Sequence, residues 1–255
     1  MHMKNTNIVP ALERGIDIVE LLENNPKGLS FSEIQVKLKI PKPSLVRLLQ
    51  TLLKRKYVKQ YDRVYKLSLR FLSLGTSVQA SLGLREIARP FMEELQKKTR
   101  ETVELAVPDD EDILLIDKLE SLESIRIFSK IGQKFADMHS FANGKVALAF
   151  FPEEVSGRWF NNGSLRKTTE KTNTNGLKLK KEIELIRTEK VGIDIEERRP
   201  GVFRIASPVF GHGGTFLGIL AIAGPVIRLG SKEELKNTVK YYAAKISKEL
   251  GCEKY

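Results

Sequence analysis

The sequence predicts an α+β protein of more than one domain, and three observations carry that expectation. Leucines recur at helical spacing behind a start marked by Pro41 and Pro43, two strand-like runs follow at 57–61 and 64–67, and beyond residue 100 strands alternate with helices. The chain has 255 residues, against about 100–200 for one domain, so it has room for two cores. Its hydrophobic fraction of 41% and charged fraction of 29% are ordinary for a globular chain. No apolar run approaches the about 20 residues that span a bilayer.

The first helix is expected from Ala11 to about Glu23, behind Pro10, with Leu12, Ile16, Val19 and Leu22 lining one face. Gly15 inside it marks a close helix crossing, and the run 24–28 breaks the chain. Ser30 and Glu33 have the spacing of a capping box, so a second, short helix starts there and runs to about Leu38. In the third helix Pro43 fits the first position, and Pro41 keeps the residue before it extended. Leu45, Leu48, Leu49 and Leu52 form its buried face, which leaves Lys42, Ser44, Arg47 and Gln50 outward. That outer face hydrogen-bonds and carries positive charge but no acid. A short helix, a turn and a second helix with a basic outer face is the helix-turn-helix arrangement, whose second helix enters the major groove of DNA. A helical hairpin with a solvated charged face has the same local pattern. The two strand-like runs, joined by Asp62-Arg63, form a hairpin that completes a winged helix-turn-helix with Arg63 at the tip.

A connecting helix is expected over 68–82, with Leu69, Leu72, Leu74 and Val78 apolar, and another over 84–99, kinked or broken near Pro90. Strands at 101–107 and 113–119 pair around an acidic turn at 108–112, read as an exposed turn rather than a cation site. A third strand is expected over 125–131, helices over 141–151 and 176–190, strands over 202–210 and 216–223, and a last helix over 231–250. Gly211-His212-Gly213-Gly214 reads as a turn that needs positive φ.

The net charge of +11 is unevenly placed. Through Gly75, 14 Lys and Arg face 6 Asp and Glu, and between Lys27 and Lys59 nine basic residues are opposed only by Glu33. Such a footprint is expected where phosphates are neutralised, and it does not form the single long amphipathic helix that suits a membrane surface. The N-terminal stretch lacks the apolar core of a signal peptide, and Cys252 is the only cysteine, so no intrachain disulfide or thiolate metal cluster can form. The expected setting is cytoplasmic, with no cofactor, no metal and no membrane partner.

Several strings then fall into a known order: Ala11-Leu12-Glu13-Arg14-Gly15, the third helix from Pro41 to Leu52, Leu84-Arg85-Glu86-Ile87-Ala88-Arg89-Pro90, Glu101-Thr102-Val103, His139 through Lys145, and Ile205-Ala206-Ser207-Pro208-Val209. In these strings, spread from about residue 10 to about residue 250, the chain resembles the IclR-type bacterial transcriptional regulators. The resemblance implies a winged helix-turn-helix over 1–68, a linker helix over 69–83 that helps dimerise, and a GAF-like α/β effector-binding domain over 84–255. It also implies a homodimer or dimer of dimers on a palindromic double-stranded operator, with repression of a catabolic operon as the expected output. Candidate DNA contacts are Ser30, Ser32, Lys42, Pro43, Ser44, Arg47, Gln50 and Arg63. The family's effector positions fall on Met138, Ala142, Asn143, Asp194, Arg204, Ala221 and Ala223. Where the family usually has a cysteine stands Arg204, and alanines replace serines at 221 and 223.

Other chemistry is poorly supported. A phosphate-binding loop ending in Gly144-Lys145 would need a glycine where His139 stands. No acid neighbours His139 in sequence to build a triad, so it reads as structural. The alternative to a regulator is a small-molecule-binding enzyme with a basic N-terminal module, but apart from Asp194 and Arg204 the C-terminal pocket face reads as apolar. A guanidinium cannot shed its charge, so Arg204 is expected to pair with Asp194 or with the acid group of a small anionic organic effector. The volume left by Ala221 and Ala223 favours a larger ligand, a sugar acid or an aromatic carboxylate.

Overall fold

A computed structural model describes residues 9–81, 83–135, 137–161 and 165–255, without the side chains of 76–81, Arg158 and Asn161. The reading of the N-terminal stretch, and Val78 and Leu82 of the connecting helix, lie outside this description. Two compact units divide the chain, Met1–Ser81 and Leu82–Tyr255.

The first unit runs α1 (Pro10–Glu23), β1 (Leu29–Ser30), α2 (Phe31–Leu38), α3 (Lys42–Lys54), β2 (Val58–Tyr61), β3 (Val64–Leu67) and α4 (Arg70–Ser81). Ser30 caps α2 as the spacing required: the Glu33 N–H donates to Ser30 Oγ at 3.3 Å, and the Ser30 N–H donates to Glu33 Oε2 at 2.7 Å. Pro41 is the N-cap of α3, so Lys42 and not Pro43 takes the first position. Pro43 is tolerated one residue later because the N–H it lacks is still one of the helix's four orphans. Ile18, Leu22, Ile34, Ile40, Leu45, Leu49 and Val58 close the core. The phase of α1 corrects the sequence reading. Leu12 and Ile16 are exposed, and Gly15 is on the inner side, where a Cβ would touch Leu48 of α3. The strands order β1-β3-β2, the two-residue β1 being an addition to the expected hairpin. Gly28 (φ +87°) leads into it, where any Cβ would come within 2.6 Å of the Tyr65 carbonyl. At the wing tip Asp62 and Arg63 take φ +45° and +68°, the sign a two-residue hairpin turn demands.

The second unit contains α5 (Leu84–Thr99), β4 (Thr102–Asp109), β5 (Asp112–Leu119), α6 (Ala142–Phe150), α7 (Glu153–Asn161), α8 (Gly176–Glu189), β6 (Gly192–Ile195), β7 (Val202–Phe210), β8 (Phe216–Pro225) and α9 (Lys232–Glu249). Its five strands order β5-β4-β8-β7-β6, every pairing antiparallel. Alternation along the strands gives the sheet two buried faces. Val103, Leu105, Phe203, Ile205, Leu220 and Ile222 pack with α5 and α9. Ala206, Ile219 and Ala221 pack with α6 and α8. This three-layer, GAF-like arrangement matches the expected fold class.

Four details differ from the sequence reading. Helix α5 is continuous through Pro90, which is exposed. The expected strand at 125–131 is irregular chain: Ile125, Phe128 and Ile131 are exposed, so it buries no alternating face. It is tied at one end to the sheet, through the Gly132 N–H to Leu115 O at 2.8 Å, and at the other to the turn after β8, through Arg228 Nη2 to Ile125 O at 2.8 Å. Helix α7 and the edge strand β6 had no distinct sequence signal, β6 being four residues that include a glycine and a buried acid. The 211–214 turn does use positive φ, +65° at Gly213 and +77° at Gly214.

Candidate nucleic-acid interface and effector site

The first candidate site is the outer face of α3. Lys42, Pro43, Arg47 and Gln50 are exposed, and Ser44 is half-buried beside the core residue Leu45. Buried Leu45 and Leu49 hold the opposite side of the helix, which fixes the direction of this face. Val46 shares it, 36% exposed among charged and polar neighbours, and escaped the sequence reading because one valine carries no periodic signal. Ser32 is exposed in the first turn of α2, and Arg63 is exposed at the wing tip. Ser30 is partly committed: its hydroxyl donates to Glu33 at 2.6 Å and accepts the cap bond.

The second candidate site lies between the sheet and α6. A tight turn, Met138–Ser140, precedes α6, and the two are pressed so close that a Cβ on Gly144 would sit 2.2 Å from the Met138 carbonyl. That contact brings buried Met138, Ala142 and Asn143 together at the helix start. On the sheet, Arg204 pairs in register with Asp194 on one side and Ala223 on the other, while Ala221 pairs with Glu104. All five strand residues lie on the face toward α6, so the matched effector positions do converge.

Arg204 meets an acid other than Asp194, its expected partner within the chain. Its Nε lies 3.5 Å from Glu104 Oε2, both side chains almost wholly buried. The small Ala221 and Ala223 on the intervening β8 leave room for the two side chains to meet across it. Asn143 Nδ2 donates to the same Glu104 oxygen at 3.3 Å. The pocket face is therefore more polar than the sequence reading had it. Glu104 did leave a signal, a lone charge at the centre of the alternation Val103, Leu105, Val107. Asp194 Oδ1 accepts the Glu197 N–H at 2.7 Å, and burial pushes its carboxyl above the ordinary range despite that bond and Arg204.

Beside this cluster Lys145, fully buried, donates to Glu182 at 2.7 Å and Glu197 at 2.6 Å. Burial opposes its charge, but the two carboxylates outweigh burial and hold the ammonium above its usual pKa. His139 is buried, its Nε2 donates to the Arg166 carbonyl at 3.0 Å, its Nδ1 makes no hydrogen bond among the described residues, and burial depresses its pKa. The acidic turn at 108–112 is exposed at its tip, and Asp109 pairs with Lys134 at 2.7 Å. Among the described residues no three His, Cys, Asp or Glu side chains gather as metal ligands, and no helix is long and apolar enough to cross a membrane.

A winged helix-turn-helix joined to a sheet domain with a buried polar cluster defines a class, the DNA-binding transcriptional regulators that carry a separate sensing unit. Comparison with known proteins narrows it. A family profile described as the bacterial transcriptional regulator IclR C-terminal domain matches residues 76–248, and the IclR helix-turn-helix profile matches 11–62. The chain belongs to the IclR family of transcriptional regulators and is not an enzyme. It is 31% identical over 233 residues to the HTH-type transcriptional regulator KdgR of Dickeya chrysanthemi, covering 90% of this chain and 76% of the relative. It is also 31% identical over 249 residues to the Escherichia coli repressor YiaJ, covering 94% and 88%. Among solved structures, the Thermotoga maritima IclR superposes with a TM-score of 0.77 at 29% identity, covering 95% of this chain and 99% of that one. An IclR homologue from Microbacterium hydrocarbonoxydans, complexed with 4-hydroxybenzoate, has a TM-score of 0.84 at 20% identity, covering 94% and 98%.

Proposed function

We propose that this protein is a cytoplasmic repressor of a catabolic operon, whose affinity for a palindromic operator changes when a small organic acid binds in its C-terminal domain. The observation that carries the reading is the outer face of α3, basic and polar with no acid, on a helix anchored by Leu45 and Leu49. In it, Arg47 and Gln50 read base edges, while Lys42, Pro43 and Ser44, with Ser30 and Ser32, sit along the phosphates and Arg63 reaches backbone or minor groove from the wing. Residues 1–68 form the DNA-binding domain, 69–83 the linker helix, and 84–255 the effector domain. The effector lies among Met138, Ala142, Asn143, Asp194, Arg204, Ala221 and Ala223, and Glu104 joins that set. The relative YiaJ is a repressor and a structural neighbour holds a small aromatic acid, which supports both halves.

The intact chain should retard a DNA fragment from upstream of its own gene, and a cognate acid should change the midpoint of that shift. A chain that binds this fragment no better than unrelated DNA of equal length at moderate salt would sink the proposal.

A further inference from the structure

Four side chains of the second unit leave polar atoms unpaired at one place. Glu104 Oε1, Asn143 Oδ1, Asp194 Oδ2 and Nη1 of Arg204 make no hydrogen bond, Arg204 Nε has only its 3.5 Å ion pair with Glu104, and none of these residues is more than 3% exposed. Each such atom keeps its desolvation penalty if nothing complements it. They are neighbours: Asn143 and Arg204 both approach Glu104 Oε2, at 3.3 and 3.5 Å, and Asp194 is the register partner of Arg204. Of the neighbouring cations, Lys145 is engaged by Glu182 and Glu197, and Arg198 lies over the Phe141 ring at 4.4 Å.

These atoms specify a ligand by what they lack. Three oxygens need donors pointing from different directions, and the guanidinium needs an acceptor. An aromatic carboxylate satisfies Arg204 but brings at most one or two hydroxyls to three oxygens. An aliphatic dicarboxylate brings a second negative charge toward Glu104 and Asp194 and no donor at all. A chain of hydroxyls ending in a carboxylate meets every requirement, and a hydroxyl, being both donor and acceptor, serves Asp194 in either protonation state. Resting on the effector site proposed above and deepening it, we infer that the ligand is a polyhydroxylated acid of the sugar-acid class. Its hydroxyls donate to Glu104, Asn143 and Asp194, and its carboxylate accepts from Arg204.

The test is a thermal-unfolding and calorimetric screen of the full chain with D-gluconate, D-galactonate, D-xylonate and L-threonate, against benzoate, 4-hydroxybenzoate, adipate and the uncharged D-glucitol. At least one sugar acid should raise the unfolding midpoint by about 5–10 °C at about 100 times its Kd. Asp194→Asn, which keeps the acceptor for the Glu197 N–H, and Glu104→Gln should each weaken that acid about tenfold, with a cooperative unfolding transition showing that the variants fold. Stabilisation by the aromatic or dicarboxylic acids alone, no stabilisation by any sugar acid, equal binding of glucitol, or unchanged affinity in both variants would overturn the ligand class. A sugar acid that binds as expected yet leaves the operator shift untouched would instead leave the ligand class standing and remove the effector role proposed above.

Discussion

Single side chains divide here between reading DNA and holding the sensing unit together. Arg47→Ala should remove about 1–3 kcal/mol of specific operator binding per half-site and leave the fold intact, because Arg47 is exposed and its helix is anchored from the opposite face. Lys42→Ala should weaken all sequences alike and flatten the salt dependence by about one unit of slope; quantitative gel shifts over a salt series distinguish the two. Val46, apolar amid that polar face, is suited to a thymine methyl group. Replacing operator thymines by deoxyuridine should therefore weaken wild type at one position per half-site and leave Val46→Ala unaffected there. His139 gives a pH signature. Its imidazole, ordinarily at 6.5, is depressed by burial in the folded chain, so below 6.5 the unfolded chain takes up the proton first and stability falls as pH falls toward the folded pKa. In His139→Gln the loss of stability between about pH 7 and about pH 5 should be smaller than in wild type, as measured by urea unfolding.

Among the elements, α6 decides the geometry of the sensing unit, and Lys145 is what ties it down. One buried ammonium joins α6 to Glu182 of α8 and to Glu197 just beyond β6. The stretch after β6 is further held by Thr168, Thr169 and Thr172 hydroxyls donating to the Glu196 and Glu197 carbonyls. Lys145→Ala should destabilise the protein by about 3–5 kcal/mol, because it strands two carboxylates rather than merely deleting a pair. Adding Glu197→Gln to that variant should recover part of the loss in the urea midpoint, and an unchanged midpoint in Lys145→Ala alone would show that this ammonium does not hold α6 in place.

At the scale of the whole molecule, the exposed apolar residues of the first unit set the assembly expectation. Val9, Leu12 and Ile16 on and before α1, and Leu69, Leu72 and Leu74 at α4, are exposed large hydrophobics, the kind of surface a second copy covers. Light scattering at micromolar concentration should therefore report a dimer or a dimer of dimers, and footprints should show half-sites about 10–10.5 bp apart centre to centre, or a multiple of that. A monomer protecting one half-site would contradict it.

The helix-turn-helix and its outward residues, the wing, the alternation beyond residue 100 and the family were all legible in the residues alone. Capping boxes, prolines, paired turn residues and leucine periodicity act over a few residues, so local spacing is enough to read them. Features that depend on a partner far along the chain emerge once the chain is folded. Leu12 and Ile16 have the same local pattern as buried residues, and exposure followed from which side of α1 meets α3. The segment at 125–131 has strand-like composition but no face to bury. Arg204 found Glu104, 100 residues away in sequence, because two alanines on the strand between them leave their side chains room to meet. That pairing was illegible beforehand, since a strand's neighbours are set by sheet order and not by distance along the chain.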